Sequence, residues 1–571
     1  MTLLPTRIFR VLIGLFIAAL IVGSCSRDTR ESVTVHQAQV DDDVLLNLRE
    51  EPVSFQSDVR PVLENRCMVC HGCFDAPCQL KLTSAAGIAR GANPETVYDG
   101  GRISAAEPTR LFIDGKTTGD WRAKGFHPVV DEVDQENDAH TPKQNLENSV
   151  MYKMLRLKQR HPQPLVGMLS DDVDLGLNRK QVCVKEDGFE QFAAKHPKWG
   201  MPYAMPNLNK KEYDILVEWL AEGAQATDIT EPSAEALPQI AEWEAFLNGS
   251  SLKQQLVSRY IYEHLFLGHI HLADTSDREF YRLIRSSTPN GQPADEIATV
   301  RPFDAPGDNL YYRLVRYPAS IVAKSHVLYE FSPERIERYK KLFIEPDYEV
   351  EELPSYELAL ASNAFITFED IPPNSRYRFL LDDARFFIEG FIKGPVCRGQ
   401  IALNVIDDQF WVTFVDPDAK VFSESPEFLH EVAANLQLPT ERGNTMALFS
   451  VWTHYWEQEQ AYRAAQSEHL KNVMPRDLDD VLGYIWDGEG TNPNAALTVF
   501  RHYDSATVKY GFVGDYPETA WVIDYPLFER IHYLLVAGFD VYGNVGHQLT
   551  TRIYMDFLRM EGENNFLMFM P

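Results

Sequence analysis

Residues Cys67-Met68-Val69-Cys70-His71 set two thiols one helical turn apart, with an imidazole directly after the second. This C-x-x-C-H spacing is the attachment pattern of a c-type haem. Each thiol can add to one vinyl group of a single porphyrin, and the imidazole then reaches the iron as proximal ligand. A second axial ligand is offered by Gly200-Met201-Pro202-Tyr203-Ala204-Met205-Pro206. A thioether there would raise the iron's potential and close its far face to substrate. The motif therefore implies one covalent haem c, bound by Cys67, Cys70 and His71. Met205 is preferred over Met201 as the distal ligand, so the metal ligands expected are His71 and Met205, with His71 the catalytic candidate.

The start of the chain agrees with that chemistry. Arg7 and Arg10 supply a basic opening, and Val11 to Gly23 is continuously apolar or small. That run is too short to span a bilayer comfortably and reads as an export signal. Val22-Gly23-Ser24-Cys25 resembles a bacterial lipoprotein cleavage box, which would leave Cys25 as the lipid-bearing first residue. Ordinary signal cleavage nearby is the equal alternative. Of seven cysteines, Cys73, Cys78, Cys183 and Cys397 remain once Cys25, Cys67 and Cys70 are set aside. Four cysteines allow three pairings. Cys73–Cys78 is the closest in sequence and would pin the loop after the motif; buried free thiols are the alternative, Cys397 above all. Haem attachment and disulfides both point to the periplasm. A net charge of -29 argues against nucleic acid as a partner and against broad docking on anionic lipid. Membrane contact would then be peripheral, through a local patch, or through a lipid on Cys25. No obligatory protein partner is implied.

The organisation expected is multidomain: an α-helical cytochrome c-like domain followed by an α+β domain. Residues 1–25 are the export signal and 26–52 a polar tether. Residues 53–225 read as the haem domain with a long insertion from about 80 to 190. Phe55 to Glu64 is a short amphipathic helix leading into the motif. Asn209 followed three residues later by Glu212 signals a helix start, and Ile215, Leu216, Trp219 and Leu220 follow helical spacing. Residues 226–238 are a Glu-, Pro- and Ala-rich linker. In 239–571, helices are expected over 241–267, 376–393, 526–536 and 548–560. Strands are expected at 409–415, 496–501, 507–512 and 519–523, the last three as an antiparallel meander. No repeat and no nucleotide loop is found.

The motif continues as Gly72-Cys73-Phe74-Asp75-Ala76-Pro77-Cys78-Gln79-Leu80. This extended block resembles the bacterial fatty-acid cis/trans isomerases, which are exported haem proteins. Thr109-Arg110-Leu111, Trp121-Arg122, Gly125-Phe126, Tyr262 through Leu267 and Pro526 through Pro571 resemble the same family. The resemblance implies conversion of cis unsaturated acyl chains of membrane phospholipids to trans, dependent on haem iron and needing neither ATP nor NAD(P)H. It implies further that the chain continues past Pro571. The expected chemistry is withdrawal and return of one electron at a π bond, so that the double bond rotates in place. An apolar channel between the two domains should carry the chain from the membrane-facing surface to the haem.

Other residues carry weaker signals. His264, His269 and His271 could supply an iron ligand, with His264 and His271 sharing a helix face; satisfied surface or core histidines are the plainer reading. Phe379, Phe386, Phe387 and Phe391, with Arg376, Arg378, Arg385 and Lys393, could line an acyl channel and meet phosphate; an ordinary core helix is the plainer reading. A periplasmic electron carrier fused to a binding domain is the alternative function. A haem peroxidase is a third, with only one C-x-x-C-H to support it.

Overall fold

Apolar side chains gather into two main cores. One is built by residues from Val53 to Ala221, around Leu63, Leu146, Leu216 and Trp219. The other is built by residues from Ala236 to Phe569 and is much larger. The computed structural model describes residues 42–132, 140–164, 166–177, 179–393, 397–399, 408–419, 426–446, 448–473, 481–502 and 505–569. The export signal, Cys25 and most of the tether lie outside the described residues. Among the described residues no helix is long and apolar enough to cross a membrane.

The first core is helical. A π-helical turn at Phe55–Val59 runs into α1 (Arg60–Arg66), and α2 (Met68–His71) follows across Cys67. Further along are α3 (Val150–Arg160) and α4 (Lys210–Ala221). The α4 start is fixed by the reciprocal Asn209–Glu212 capping box. Its Ile215, Leu216, Trp219 and Leu220 are buried, as the spacing requires. Arg66 donates to both carboxylate oxygens of Glu212 at 2.9 Å, and so ties the end of α1 to the start of α4.

The second core packs helices on two small mixed sheets, an α+β architecture. It opens with α5 (Ala236–Leu247), which begins inside the expected linker, and α6 (Leu252–Leu265). These are two helices where one was expected; Ser251 caps the second with Gln254 in a capping box. Strands β1 (His269–Leu272), β2 (Tyr281–Ser286), β3 (Tyr311–Arg316) and β4 (Leu328–Phe331) form a sheet of order β3-β2-β1-β4. Next come α7 (Pro373–Asp382) and α8 (Ala384–Lys393). The break at Asp383 has a tertiary cause: its carboxylate accepts from Tyr329 Oη at 2.8 Å and pairs with Arg335.

The second sheet holds β5 (Asp408–Phe414), β6 (Ala496–Arg501), β7 (Ala506–Tyr510) and β8 (Thr519–Ile523), in the order β7-β6-β5-β8. The expected three-strand meander is thus corrected. Only β6 and β7 pair as a hairpin; β8 crosses over to lie parallel to β5, with Phe410 opposite Thr519. Val522 and Ile523 of β8 are fully buried, whereas Thr507, Lys509 and Tyr510 of β7 are exposed. A strand carrying buried Val522 and Ile523 belongs beside β5, where α11 covers it. Both sheets share one connectivity: three antiparallel neighbours, then a fourth strand returning parallel to the first. The sequence carries no visible trace of this doubling.

Three helices close the second core: α9 (Leu448–Val473), α10 (Tyr525–His532) and α11 (Val545–Phe569). Buried Arg530 of α10 pairs with Glu459 of α9 at 3.2 Å and Glu561 of α11 at 2.5 Å. Gly562 lets α11 lie against Trp521, because a Cβ there would sit 3.1 Å from that ring.

Two disulfides cross the molecule, Cys73–Cys397 and Cys78–Cys183. Neither the expected Cys73–Cys78 link nor a free Cys397 is found. Their sequence separations of 324 and 105 residues mean that each restrains a long stretch of unfolded chain. Peptide mapping without reduction should recover both pairs, and a linked Cys73–Cys78 peptide would contradict the fold. Replacing Cys73 and Cys397 by serine should lower the unfolding free energy by about 2–5 kcal/mol in urea denaturation.

Candidate functional site

The thiols of Cys67 and Cys70 are the two cysteines left free among the described residues, and both open on one cleft. Cys67 caps α2, whose single turn is closed by His71 N donating to Cys67 O at 3.0 Å. That turn brings Cys67, Cys70 and His71 onto the same wall. Met201, Tyr203 and Met205 line the same cleft. The cleft encloses about 1370 Å³ of space, part of it open to solvent, and Leu80, Leu82, Val150 and Leu155 make it largely apolar.

Each polar group in this cleft is set by burial. Burial pushes the Cys67 thiol up to about 12 and raises the Cys70 thiol, so both are neutral at ordinary pH. Burial pulls His71 down to about 4, so its ring is a neutral imidazole. His71 Nδ1 lies 3.0 Å from Leu80 O, the geometry of an N–H donating to a carbonyl. The other ring nitrogen, Nε2, is thereby left as a lone-pair donor, the usual arrangement of a metal-binding histidine. Two thiols, one oriented imidazole, two thioethers in the same lining and apolar walls are together the donor set and surroundings that a covalently held haem requires. The residues present fit that group.

The long insertion supplies part of this cleft. Gln181, Val182, Cys183 and Val184 line it, held by the Cys78–Cys183 disulfide and by Gln181 Oε1 accepting from Cys78 N at 2.8 Å. Arg179 lines it too, with its guanidinium 4.3 Å from the Tyr203 ring centroid. Sequence reasoning missed Arg179 and Gly399. The latter passes so close to Cys70 O that a Cβ would lie 1.8 Å away. An unexplained Arg or Gly far from a motif offers no local signal.

A second cleft lies on the other side of the Gly72–Thr83 segment and is lined by both cores. It encloses about 1620 Å³, again partly open to solvent. Leu80 and Leu82 face the first cleft, whereas Lys81 and Thr83 line the second. The stretches that carried the family resemblance converge here. Thr109, Arg110 and Leu111 line the cleft, as do Tyr262, Phe266 and Leu267, and then Val536 to Tyr542. Trp121 and Phe126 sit behind it, stacked on the guanidinium of Arg90 at 5.3 and 4.8 Å. Burial pushes Arg90 down to about 10 and Lys81 well below its ordinary value.

The remaining expected site residues are dispersed. His264 ends up fully buried in α6, its Nδ1 2.7 Å from Tyr260 O and its ring stacked on His532 at 4.4 Å. His269 and His271 lie on β1, so no helix face joins His264 to His271. None of the three reaches the first cleft; His269 lines the second. Phe379, Phe386 and Phe387 belong to the second core, and neither they nor Phe391 line either cleft. Three of the cations around them are ion-paired within the protein, Arg378 with Asp418 and Glu489, Arg385 and Lys393 with Glu389, and buried Arg376 donates to Ala364 O at 3.2 Å.

The family model described as "Fatty acid cis/trans isomerase (CTI)" matches residues 106–571. Neither a curated protein nor a solved structure matches the chain.

His269, in the wall of the second cleft, meets His326 behind it, with Nδ1 to Nδ1 at 3.3 Å. Burial holds them down to about 3 and about 4, helped by the neighbouring cations Arg282 and Lys393. A histidine kept neutral in the fold but protonated when unfolded contributes stability that is present above about pH 6.5 and lost as pH falls. Thermal stability should therefore fall between pH 6.5 and 4. A His269→Gln, His326→Gln double variant should show a shallower slope over that window; an unchanged slope would rule out the pair as a contributor.

Proposed function

The chain belongs to the fatty acid cis/trans isomerase family, and on that premise we propose that it isomerises unsaturated acyl chains with a single covalent haem held by Cys67, Cys70 and His71. Membership makes the chain an isomerase acting on acyl lipids, so the electron-carrier and peroxidase readings give way. The haem rests on a separate support, because Cys67 to His71 precede the matched residues. That support is one observation: two free thiols and an oriented, neutral imidazole open together on an apolar cleft that Met201 and Met205 also line. In this reading residues 53–225 are the cytochrome c-like haem domain and 239–571 the α+β domain.

A haem bound there supplies an iron able to withdraw and return one electron at a π bond, which frees a cis double bond to rotate without ATP or NAD(P)H. The chain's own residues prepare the place. Leu80 O fixes the His71 ring through Nδ1, so that Nε2 is presented as ligand. Leu80, Leu82, Val150 and Leu155 keep water away from the reacting region. Met205, or Met201 in its stead, would supply a thioether ligand to that iron.

The reading includes a periplasmic location with membrane contact, either peripheral or through a lipid on Cys25. The surface supports such contact with a local apolar patch. Trp452 and Trp456 stack 5.9 Å apart and are 42 % and 41 % exposed, with the Trp456 ring 5.8 Å from that of Phe557 on α11. Tryptophan at an apolar surface suits the bilayer interface and needs no net positive charge.

Incubating the haem-loaded protein with vesicles of cis-monounsaturated phospholipid, or with the free cis acid, should yield trans chains with no cofactor added. His71→Ala should yield none. Trans product from a variant lacking haem would defeat the iron-based reading. Met205→Ala should keep the covalent haem but change its absorption spectrum, whereas Met201→Ala should not; the reverse would exchange the two roles.

A further inference from the structure

Charges in the wall of the second cleft are not balanced one for one. Arg110 is held by both oxygens of Asp114, at 2.9 and 2.8 Å. Arg282 is held by both oxygens of Glu296, at 3.1 and 2.6 Å. Arg301 stands 3.6 Å from Asp304. Asp540, the other acid in the wall, accepts from Tyr542 N at 2.9 Å. Lys81 and Arg90 are different. Lys81 Nζ donates to the carbonyls of Gly72, at 3.2 Å, and Cys73. Arg90 donates to Thr109 O, at 2.8 Å, and Gln79 O, while its Nε has no partner. Among the described residues neither is ion-paired with a carboxylate. Asp75, which acts on Lys81 from farther away, already accepts from Val97 N and lies 3.9 Å from Arg398.

Carbonyl oxygens hold a cation in place without cancelling its charge. Two neighbouring cations at the edge of an apolar cleft therefore carry a standing electrostatic cost, which an anion would offset. Arg90 is only 2 % exposed and lies against the rings of Trp121 and Phe126, so it acts as a fixed positive charge behind the wall. Lys81 is half-buried and lines the space itself, so it is the group that would touch the anion. Beside the paired charges, the lining includes the apolar side chains of Phe112, Tyr262, Phe266, Ile297, Val300 and Val536, which suit a hydrocarbon tail.

We propose that the second cleft captures a single-chain amphiphile, with its anionic head, a carboxylate or a phosphate, at Lys81 and Arg90 and its acyl tail along Phe112, Phe266 and Val300. This rests on the acyl-lipid reading of the chain and specifies the form in which acyl substrate is held: one chain with a charged end. It does not rest on the haem. The site is a holding site beside the haem-motif cleft, separated from it by the Gly72–Thr83 segment.

The test is calorimetric binding of three probes to the full, haem-loaded chain below their aggregation limits: oleate, oleyl phosphate and oleyl alcohol. Wild type should bind one or both anions at least tenfold more tightly than the alcohol. Preference for oleate assigns a carboxylate head, and preference for oleyl phosphate assigns a phosphate head. Lys81→Gln should weaken the anions by on the order of tenfold, the scale of one charge-assisted hydrogen bond, and leave the alcohol within twofold. Val300→Trp, which fills the apolar part, should weaken all three. Equal binding of alcohol and anions by wild type, or anion binding unchanged in Lys81→Gln, would overturn the proposal. So would binding of all three probes unchanged in Val300→Trp. If Lys81→Gln fails to fold, the wild-type preference and Val300→Trp still decide. A protein that binds as expected yet forms no trans product leaves this site standing and fails the isomerase chemistry alone. Trans product together with binding blind to both variants fails this site alone.

Discussion

The segment from Gly72 to Thr83 is the partition on which both clefts depend. A single short stretch, turned at Pro77–Gln79 and extended only from Leu80, cannot keep two cavities apart unless it is pinned along its length. Here His71 Nδ1 meets Leu80 O, and Leu82 N returns to His71 O at 3.1 Å. Asp75 N donates to Cys397 O and Gly399 N to Asp75 O, at 2.8 and 2.9 Å, beside the Cys73–Cys397 disulfide. Cys78–Cys183 draws the insertion against its outer side. An extended chain turns successive side chains to opposite faces. Leu80 and Leu82 can therefore give the first cleft an apolar wall while Lys81 and Thr83 give the second a polar corner. One short segment thus sets the histidine's tautomer, the dryness of its surroundings and the charge of the neighbouring cavity.

Much of the first cleft was legible because its determinants are local. Cys67, Cys70 and His71 fall within one turn of helix, and their spacing alone brings them together. Asn209 and Glu212 announce their helix because a capping box is closed within four residues. The elements misjudged are those decided by distant partners. Asp383 splits the Phe-rich helix because Arg335 and Tyr329, some fifty residues earlier, take its carboxylate. Thr519–Ile523 reads as a third meander strand, yet it pairs parallel to a strand more than a hundred residues away. Cys397 has no near neighbour that would reveal Cys73 as its partner.

The second cleft was not legible as a site for the same reason, although its pieces had been singled out. Thr109 to Leu111, Tyr262 to Leu267 and Val536 to Tyr542 are three separate stretches, each unremarkable alone. Only the docking of the first core against the second makes them one surface. An interdomain channel was the expectation from the sequence. The structure instead divides the space in two, with the haem motif opening on one side and most of the wall given by the second core on the other. Those functional residues that lie on the second core are therefore within reach of the motif only across the partition.

The doubled sheets make sense in these terms. The first sheet lines the cleft directly, through His269 of β1 and Arg282 and Leu283 of β2. The second sheet lines neither cleft. It is covered instead by α11, and Tyr377 Oη bonds both Val415 O and Ile523 O at its end, at 2.7 and 3.0 Å. Asp524, directly after β8, caps α10, and α10 leads into Val536 to Tyr542 on the cleft wall. Arg530, with Glu459 and Glu561, fixes α10 against the long helices on either side. A buried charge trio of this kind adds little net stability, but removing one member leaves an uncompensated charge costing about 3–5 kcal/mol. Its effect is to allow one position of α10 and no other. The second sheet acts on the cleft through that helix, which leads into the stretch whose Tyr542 hydroxyl meets Thr109 Oγ1 at 3.3 Å, beside Arg90, so a scaffold that lines neither cleft still positions part of the wall.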